Sequence, residues 1–385
     1  MGSIESRGLK ISDKGNIRKT IHDFLKKLLK DGIFDGILIP VMVPAGDSYA
    51  WVLVKEPSLL DKASPVPPVM PVQGAKALKS YTRKGKVSLK VAALMRPCEI
   101  RASVELTKLN QVHLDNITLI SYDCPGALPM ADYLENQKKG EKRFDSILNG
   151  NDWRNSSTKP VCRICDRFSL IPSCDLHFGI MGNQEKTVFL IPNSKKGRQI
   201  LKDNNLQASE ELSDWRKSVD EHIQKIKKQK KERFAEIKSM AEGFNALQET
   251  FANCIGCHNC QSACPICYCR QCYFDSEVSK QASDFVIQKA ERRGGISFPL
   301  DKIMFHVGRM SHMSLSCVAC GLCSDACPVS IPVADVFSYV ADHTQKMFEY
   351  EAGKYRETAL PIKNYRLDEI RGVEELVKNA EGAES

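Results

Sequence analysis

The hydrophobic positions change rhythm along the chain. Apolar residues first recur at helical spacing at Ile21, Phe24, Leu25, Leu28 and Leu29, and after Gly32 an apolar run over 37–43 reads as a buried strand. Shorter apolar runs at 50–54, 91–95, 117–121 and 187–191 predict further strands, with helical patterns at 100–109 and 196–202 between them. Strands alternating with helices predict an α/β domain over 1–205 with a mixed or mostly parallel sheet. A proline-rich stretch, 64–72, marks a loop crossing between elements.

From Trp215 the period shifts. Trp215, Val219, Ile223, Ile226, Phe234, Ile237, Met240, Phe244 and Leu247 recur mostly at three or four residues among Lys, Glu, Gln and Arg. This spacing predicts a long amphipathic helix or helical pair, a linker over 206–250. Helical patterns return at 282–293 and 300–313 inside a cysteine-rich, α-helical domain over 251–340. Beyond it, 341–385 is charged and reads as a mobile or partner-bound tail.

The apolar run 36–46 holds two prolines and falls short of the ~20 apolar residues of a bilayer span, so no membrane span is expected. The first residues carry charge with no apolar segment behind them, unlike a signal peptide. In such a chain sixteen cysteines point to metal or catalytic use rather than disulfides, and to a reducing, cytoplasmic setting. The net charge of +8 suggests an acidic partner such as nucleic acid. An oxidised cubane held by four thiolates, however, carries about two negative charges, and several cubanes would balance the excess without any nucleic acid. The basic run 227–231 then reads as a solvated helix face.

The cysteine spacing carries the chemistry. The pattern C-x2-C-x2-C-x3-C-P occurs at 254–265 and again at 317–328. Three cysteines at this spacing wrap one [4Fe–4S] cube, and the fourth reaches the neighbouring cube. This assigns Cys254, Cys257, Cys260 and Cys327 to one cluster, and Cys317, Cys320, Cys323 and Cys264 to the other. Zinc sites use paired C-x2-C units instead. Pro265 and Pro328 fix the chain direction after each fourth ligand. The long helical insert between the motifs resembles the α-helical ferredoxins of heterodisulfide reductase and succinate dehydrogenase iron–sulfur subunits. His258 and His312 lie close to ligands in sequence and read as surface or supporting residues rather than as ligands.

In the α/β part, Cys98 and Cys124 each follow a predicted strand, and Cys162 and Cys165 form a C-x2-C pair; together they make one complete ligand set. Four tracts here resemble the β subunit family of the deazaflavin (coenzyme F-420) reducing hydrogenase and formate dehydrogenase. They are Asp31-Gly32-Ile33-Phe34-Asp35-Gly36, Arg96-Pro97-Cys98, Tyr122-Asp123-Cys124, and Cys162-Arg163-Ile164-Cys165 followed by Asp175 and Gly179-Ile180-Met181-Gly182. The resemblance implies a [4Fe–4S] cluster on these cysteines beside an FAD, with Asp175, Gly179 and Gly182 at the cofactor. In formate dehydrogenase β subunits it also implies a C-terminal dicluster ferredoxin, the order found in this chain. Arg18 and Lys19 stand where the family usually has a glycine pair. Two readings stay open: FAD held with altered contacts, or a lost flavin site with the clusters kept.

Cys174, Cys267, Cys269 and Cys272 are left over. They form either a fourth cluster bridging the two domains or a set of spare thiols. The resemblance implies an electron-transfer β subunit that carries no primary substrate chemistry. Its catalytic partner would be a formate dehydrogenase or hydrogenase subunit, and its acceptor a deazaflavin, NAD or a heterodisulfide reductase-like subunit. The rivals are a free-standing flavoenzyme and a flavin-free ferredoxin-like adaptor.

Overall fold

The computed structural model describes residues 7–11, 16–150, 152–182, 187–276, 283–295 and 301–363. Strands β1 (Arg7–Ile11), β2 (Gly36–Met42), β3 (Tyr49–Val54), β4 (Val91–Leu94), β5 (Ile117–Tyr122), β6 (Leu176–Gly179), β7 (Val188–Pro192) and β8 (Glu210–Glu211) form one mixed sheet. Its order is β3-β2-β4-β5-β6-β7-β1-β8. Strands β2, β4, β5 and β6 run parallel, and the outer pairings are antiparallel. The parallel centre is covered on both faces, so β4 and β5 are buried throughout.

Helix α1 (Ile17–Lys30) lays Ile21, Phe24, Leu25 and Leu28 into the core, and the Asn16 side chain accepts from the Lys19 amide at its start. Helices α2 (Gly74–Tyr81), α3 (Pro97–Lys108), α4 (Met130–Glu135), α5 (Gln137–Asn149), α6 (Pro160–Arg163) and α7 (Lys195–Asp203) complete the α/β part. The short strands β1 and β6 go beyond the sequence expectation. Four residues, Leu-His-Phe-Gly, give β6 too few positions to show a period.

Helices α8 (Ser213–Ala241) and α9 (Phe244–Thr250) are the expected helical pair, broken at Gly243, whose φ is +92°. The segment 206–250 is nevertheless no free linker. Strand β8 closes the sheet against β1, and Trp215, Val219 and Ile226 of α8 are buried in the core on one sheet face. The cysteine-rich part follows with α10 (Asn259–Ala263), α11 (Ser283–Arg293), α12 (Asp301–Met313), α13 (Leu322–Asp325) and α14 (Val333–Met347).

The opposite sheet face shares its core with this cysteine-rich part. Leu38, Ala93 and Ile100 join Phe251, Phe305 and Val336 in one cluster. The expectation of a mobile tail over 341–385 needs correcting up to residue 363. Residues 341–347 belong to α14, and Tyr350, Ala352 and Leu360 are buried in the shared core. Residues 364–385 lie outside the described residues.

Candidate iron–sulfur centres

Strands β4 and β5 deliver Cys98 and Cys124 at their C-terminal ends, where an α/β sheet places its site. Arg96 caps α3, and the Glu99 carboxylate accepts from the Arg96 amide (2.8 Å) and from the Gly74 amide (2.9 Å). The buried Arg96 guanidinium donates to Cys124 Sγ (3.4 Å) and the Gly126 carbonyl (2.8 Å). Gly126 has φ +102°, and a Cβ there would stand 2.9 Å from Thr158 and 3.4 Å from Cys162. This close approach folds the Cys124 loop onto the C-x2-C helix. Arg154 ties the group together, donating to the carbonyls of Cys124 (2.8 Å), Cys165 (3.2 Å) and Cys162.

Burial pushes the Cys98 thiol well above its usual range, and the charges of Glu99, Cys320, Cys124 and Cys165 add to it. Burial likewise raises Cys162, with Arg154 acting against it and Cys124 and Cys165 contributing. Such thiols are poor nucleophiles near neutrality, whereas a bound metal deprotonates its thiol ligands outright. The structure therefore brings the four N-terminal cysteines into one neighbourhood, with Cys320 of the second ferredoxin motif adjoining it.

The two ferredoxin loops repeat one backbone shape. Gly256 and Ala319, each two residues after the first cysteine, have φ +67° and +53°; His258 and Gly321, two residues further on, have φ +57° and +80°. Alternating left- and right-handed residues turn successive amides toward one point and make an anion-binding nest. Consistent with this, the Gly256 amide donates to Cys254 Sγ (3.5 Å) and the Ile331 amide to Cys327 Sγ (3.4 Å).

Cys264, Cys317, Cys320 and Cys323 line a single cavity, the expected crossed set. In the other set, burial raises the Cys260 thiol, and Cys254, Cys257 and Cys327 act on it electrostatically. A Cβ on Gly321 would stand 2.5 Å from the Val161 side chain, so the second loop packs directly on α6. The buried Lys159–Asp325 ion pair (2.6 Å) locks the same seam.

Helix α12 dresses the first loop. Arg309 donates to Cys260 Sγ (3.0 Å) and to the Cys260 carbonyl (3.1 Å). Burial opposes the Arg309 charge, but Cys260, Cys267, Cys264 and Cys323 outweigh it and raise its pKa. His306 Nε2 lies 3.4 Å from Cys254 Sγ, and its ring stacks on Phe251 at 3.8 Å. Burial, with Arg309 and His258, lowers His306 to about 3, so its imidazole is neutral. Arg96, Arg101, Arg154, Lys159 and Arg309 are all buried. Sequence reasoning missed this set of cations. Their only sequence signal is the +8 net charge, which does not say which ones turn inward.

Other expected residues sit elsewhere. Cys174 is fully buried on the approach to β6, with Asn193 Nδ2 3.7 Å from its sulfur. It does not line the cavity that holds Cys267, Cys269 and Cys272. His258 stacks on Phe305 at 4.1 Å and pairs with Asp275. The Asp175 carboxylate accepts from the Leu119 amide (2.9 Å), Ser194 Oγ (2.8 Å) and Arg356 (3.2 Å). A Cβ on Gly179 would stand 2.9 Å from the Trp215 indole, and one on Gly182 would stand 2.1 Å from Ser218. These three residues, expected at a flavin, are engaged here by hydrogen bonding and by packing against α8. Asp123 is a hub that the sequence did not single out. It accepts from Ser169, His177 (2.9 Å), the amides of Ile180 (2.7 Å) and Met181 (3.0 Å), and the Trp215 indole (2.7 Å). Burial pushes its carboxyl up, but His177, Ser169 and Trp215 outweigh burial and lower it.

The place the resemblance gives to its glycine pair is different. Arg18 pairs with Glu141 (2.8 Å), which also accepts from Tyr49 (2.6 Å), on the wall of a cleft of about 900 Å³. The Nε and Nη2 groups of Arg18 are buried without a hydrogen-bond partner.

A family model for a 4Fe-4S dicluster domain matches residues 249–331, which hold both ferredoxin motifs. The F420-dependent formate dehydrogenase subunit beta of Methanocaldococcus jannaschii is 28% identical over 283 residues, 64% of this chain and 69% of that protein. The F420-dependent formate dehydrogenase 1 subunit beta of Methanococcus maripaludis is 26% identical over 382 residues, 89% of this chain and 92% of that protein. A chain of the F420-reducing [NiFe] hydrogenase complex from Methanosarcina barkeri aligns over 64% of this chain and 95% of its own. Its 15% identity and TM-score of 0.43 are too low to bear on the fold.

Proposed function

From this likeness to the β subunits of F420-dependent formate dehydrogenases, we propose that the chain is the iron–sulfur electron-transfer subunit of a formate dehydrogenase or related hydrogenase complex. The observation that carries the reading is the adjacency of three thiol groups. Cys98 of the N-terminal group feels Cys320 of the second ferredoxin group, and Arg309 faces Cys264 and Cys323 of that group together with Cys260 of the first. Three [4Fe–4S] clusters on these ligands make a continuous relay across the seam between the α/β and cysteine-rich parts. The twelve cysteines supply the soft thiolates the clusters need, and the buried arginines and Lys159 offset the negative charge. Hydride or oxygen-transfer chemistry belongs to a partner that holds molybdenum, tungsten or nickel. The acceptor is a deazaflavin, NAD or a heterodisulfide reductase-like subunit.

A second reading adds FAD, in the cleft beside Arg18. It is favoured by the cleft's size and by Arg18 and Lys19 on its wall, whose charges suit an anionic group. A flavin bound there would couple single-electron steps to hydride exchange.

Anaerobic purification through a tag on this chain tests the function. A molybdenum, tungsten or nickel subunit is expected to co-purify, and formate or hydrogen should bleach the cluster absorbance. A chain that purifies alone, with clusters that neither donor reduces, would overturn the proposal. Flavin released on denaturation, counted per chain, separates the two readings.

A further inference from the structure

We infer that Cys267, Cys269 and Cys272, with His312 as fourth ligand, hold an additional [4Fe–4S] cluster. The three cysteines and His312 line one cavity of about 380 Å³ beneath α12, together with Ile266, Arg309 and Met313. Its other walls are largely apolar, including Leu109, Leu315 and Leu360.

The cavity is separate from the second ferredoxin site. Cys264 lines that site and Cys267 lines this one, while Ile266, Arg309 and Met313 line both and form the wall between them. Met313 marks the boundary, with its sulfur 3.8 Å from Cys264 Sγ and 3.5 Å from Cys267 Sγ. The Cys264 and Cys267 thiols meet at this boundary, so the two sites abut.

Three soft thiolates and an imidazole around one hollow are a donor set that suits an iron–sulfur core. The spacing C-x-C-x2-C places three thiolates on one short loop, and His312 is the one imidazole lining the cavity. Helix α12 thus presents His306, Arg309 and His312 at three-residue steps: toward Cys254, toward Cys260 and into this cavity. Cys174 has no part in the site. The exposure of Cys269 places the cluster at the molecular surface, next to the relay.

Iron and acid-labile sulfide, counted in the anaerobically purified full chain, test the inference. Four clusters give about 16 irons per chain and three give about 12. The double variant C269S/C272S is expected to lose about four irons, while Cys174→Ser loses none. His312→Cys should keep the iron and lower the potential of one cluster, because imidazole ligation raises it. His312→Ala should lose that cluster's electron paramagnetic resonance signal. Circular dichroism and the remaining signals check that each variant is folded. A wild-type chain with about 12 irons, a folded C269S/C272S chain with undiminished iron, or one zinc lost in place of iron would overturn the cluster. An unchanged signal in His312→Ala would overturn the fourth ligand. None of these readouts depends on formate or hydrogen chemistry, so they stand or fall apart from the proposed function.

Discussion

At the residue scale, the thiols come from two short loops, while a cation that touches one of them comes from a helix far along the chain. The distances along the chain from Cys254 to Cys264 and from Cys317 to Cys327 are set locally, so the motif predicts its own geometry. Arg309 reaches Cys260 across 49 positions, and only the packing of α12 brings it there. A charged N–H···S bond stabilises the more negative, reduced state of a cluster. Arg309→Gln should therefore lower the potential of the proposed cluster on Cys254, Cys257, Cys260 and Cys327. A loss of ~1.4 kcal/mol of differential stabilisation would appear as about 60 mV in a one-electron titration. An unshifted potential in a fully loaded variant would show that Arg309 serves packing alone.

At the scale of elements, α8 shows why the glycines after Asp175 read as a cofactor turn. Glycine signals close approach, but sequence does not say of what. Here the approaching bodies are Trp215 and Ser218 of the same chain. Gly179→Ala would press a methyl into the Trp215 indole and should cost about 1–3 kcal/mol, with flavin content unchanged. Thermal unfolding of the loaded chain measures the first effect and flavin release the second. The same helix carries His222, which packs edge-on against Phe168 at 5.2 Å. Burial, then Arg154 and Lys225, lower His222 from 6.5 to about 4. The unfolded chain then binds the extra proton over this range, so stability is full above pH 6.5 and falls as pH drops toward 4. Anaerobic melting points of His222→Gln should decline less over that interval than those of the parent.

At the scale of the whole molecule, the expected partition into domain, linker, domain and tail gives way to a shared core. Pattern reading separates segments by period, but burial joins them. Alternate residues of β2 and β4 face opposite sides, and one of those sides is covered by the cysteine-rich part. No helix among the described residues is long and apolar enough to cross a membrane. The strap after α14 is the clearest consequence. Tyr350 Oη and the Gly353 amide (2.8 Å) both donate to the buried Glu105 carboxylate, Arg101 donates to the Ala352 carbonyl (2.8 Å), and Ser173 Oγ donates to the Gly353 carbonyl (2.9 Å). Gly353 lies so close that a Cβ would fall 2.3 Å from the Arg101 carbonyl oxygen. Glu105 and Arg101 belong to α3, whose second residue is Cys98. Ending the chain after residue 349 therefore strips two donors from a buried carboxylate on the helix that carries Cys98 of the proposed N-terminal cluster. Each unsatisfied group costs ~1–3 kcal/mol. The damage should be local: an iron chelator should remove the N-terminal cluster several-fold faster, while the two ferredoxin clusters, held by their own nested loops, keep their rates. Equal acceleration of all clusters would mean instead that the strap holds the shared core as one unit. The resolved decay of each cluster's paramagnetic signal distinguishes the two.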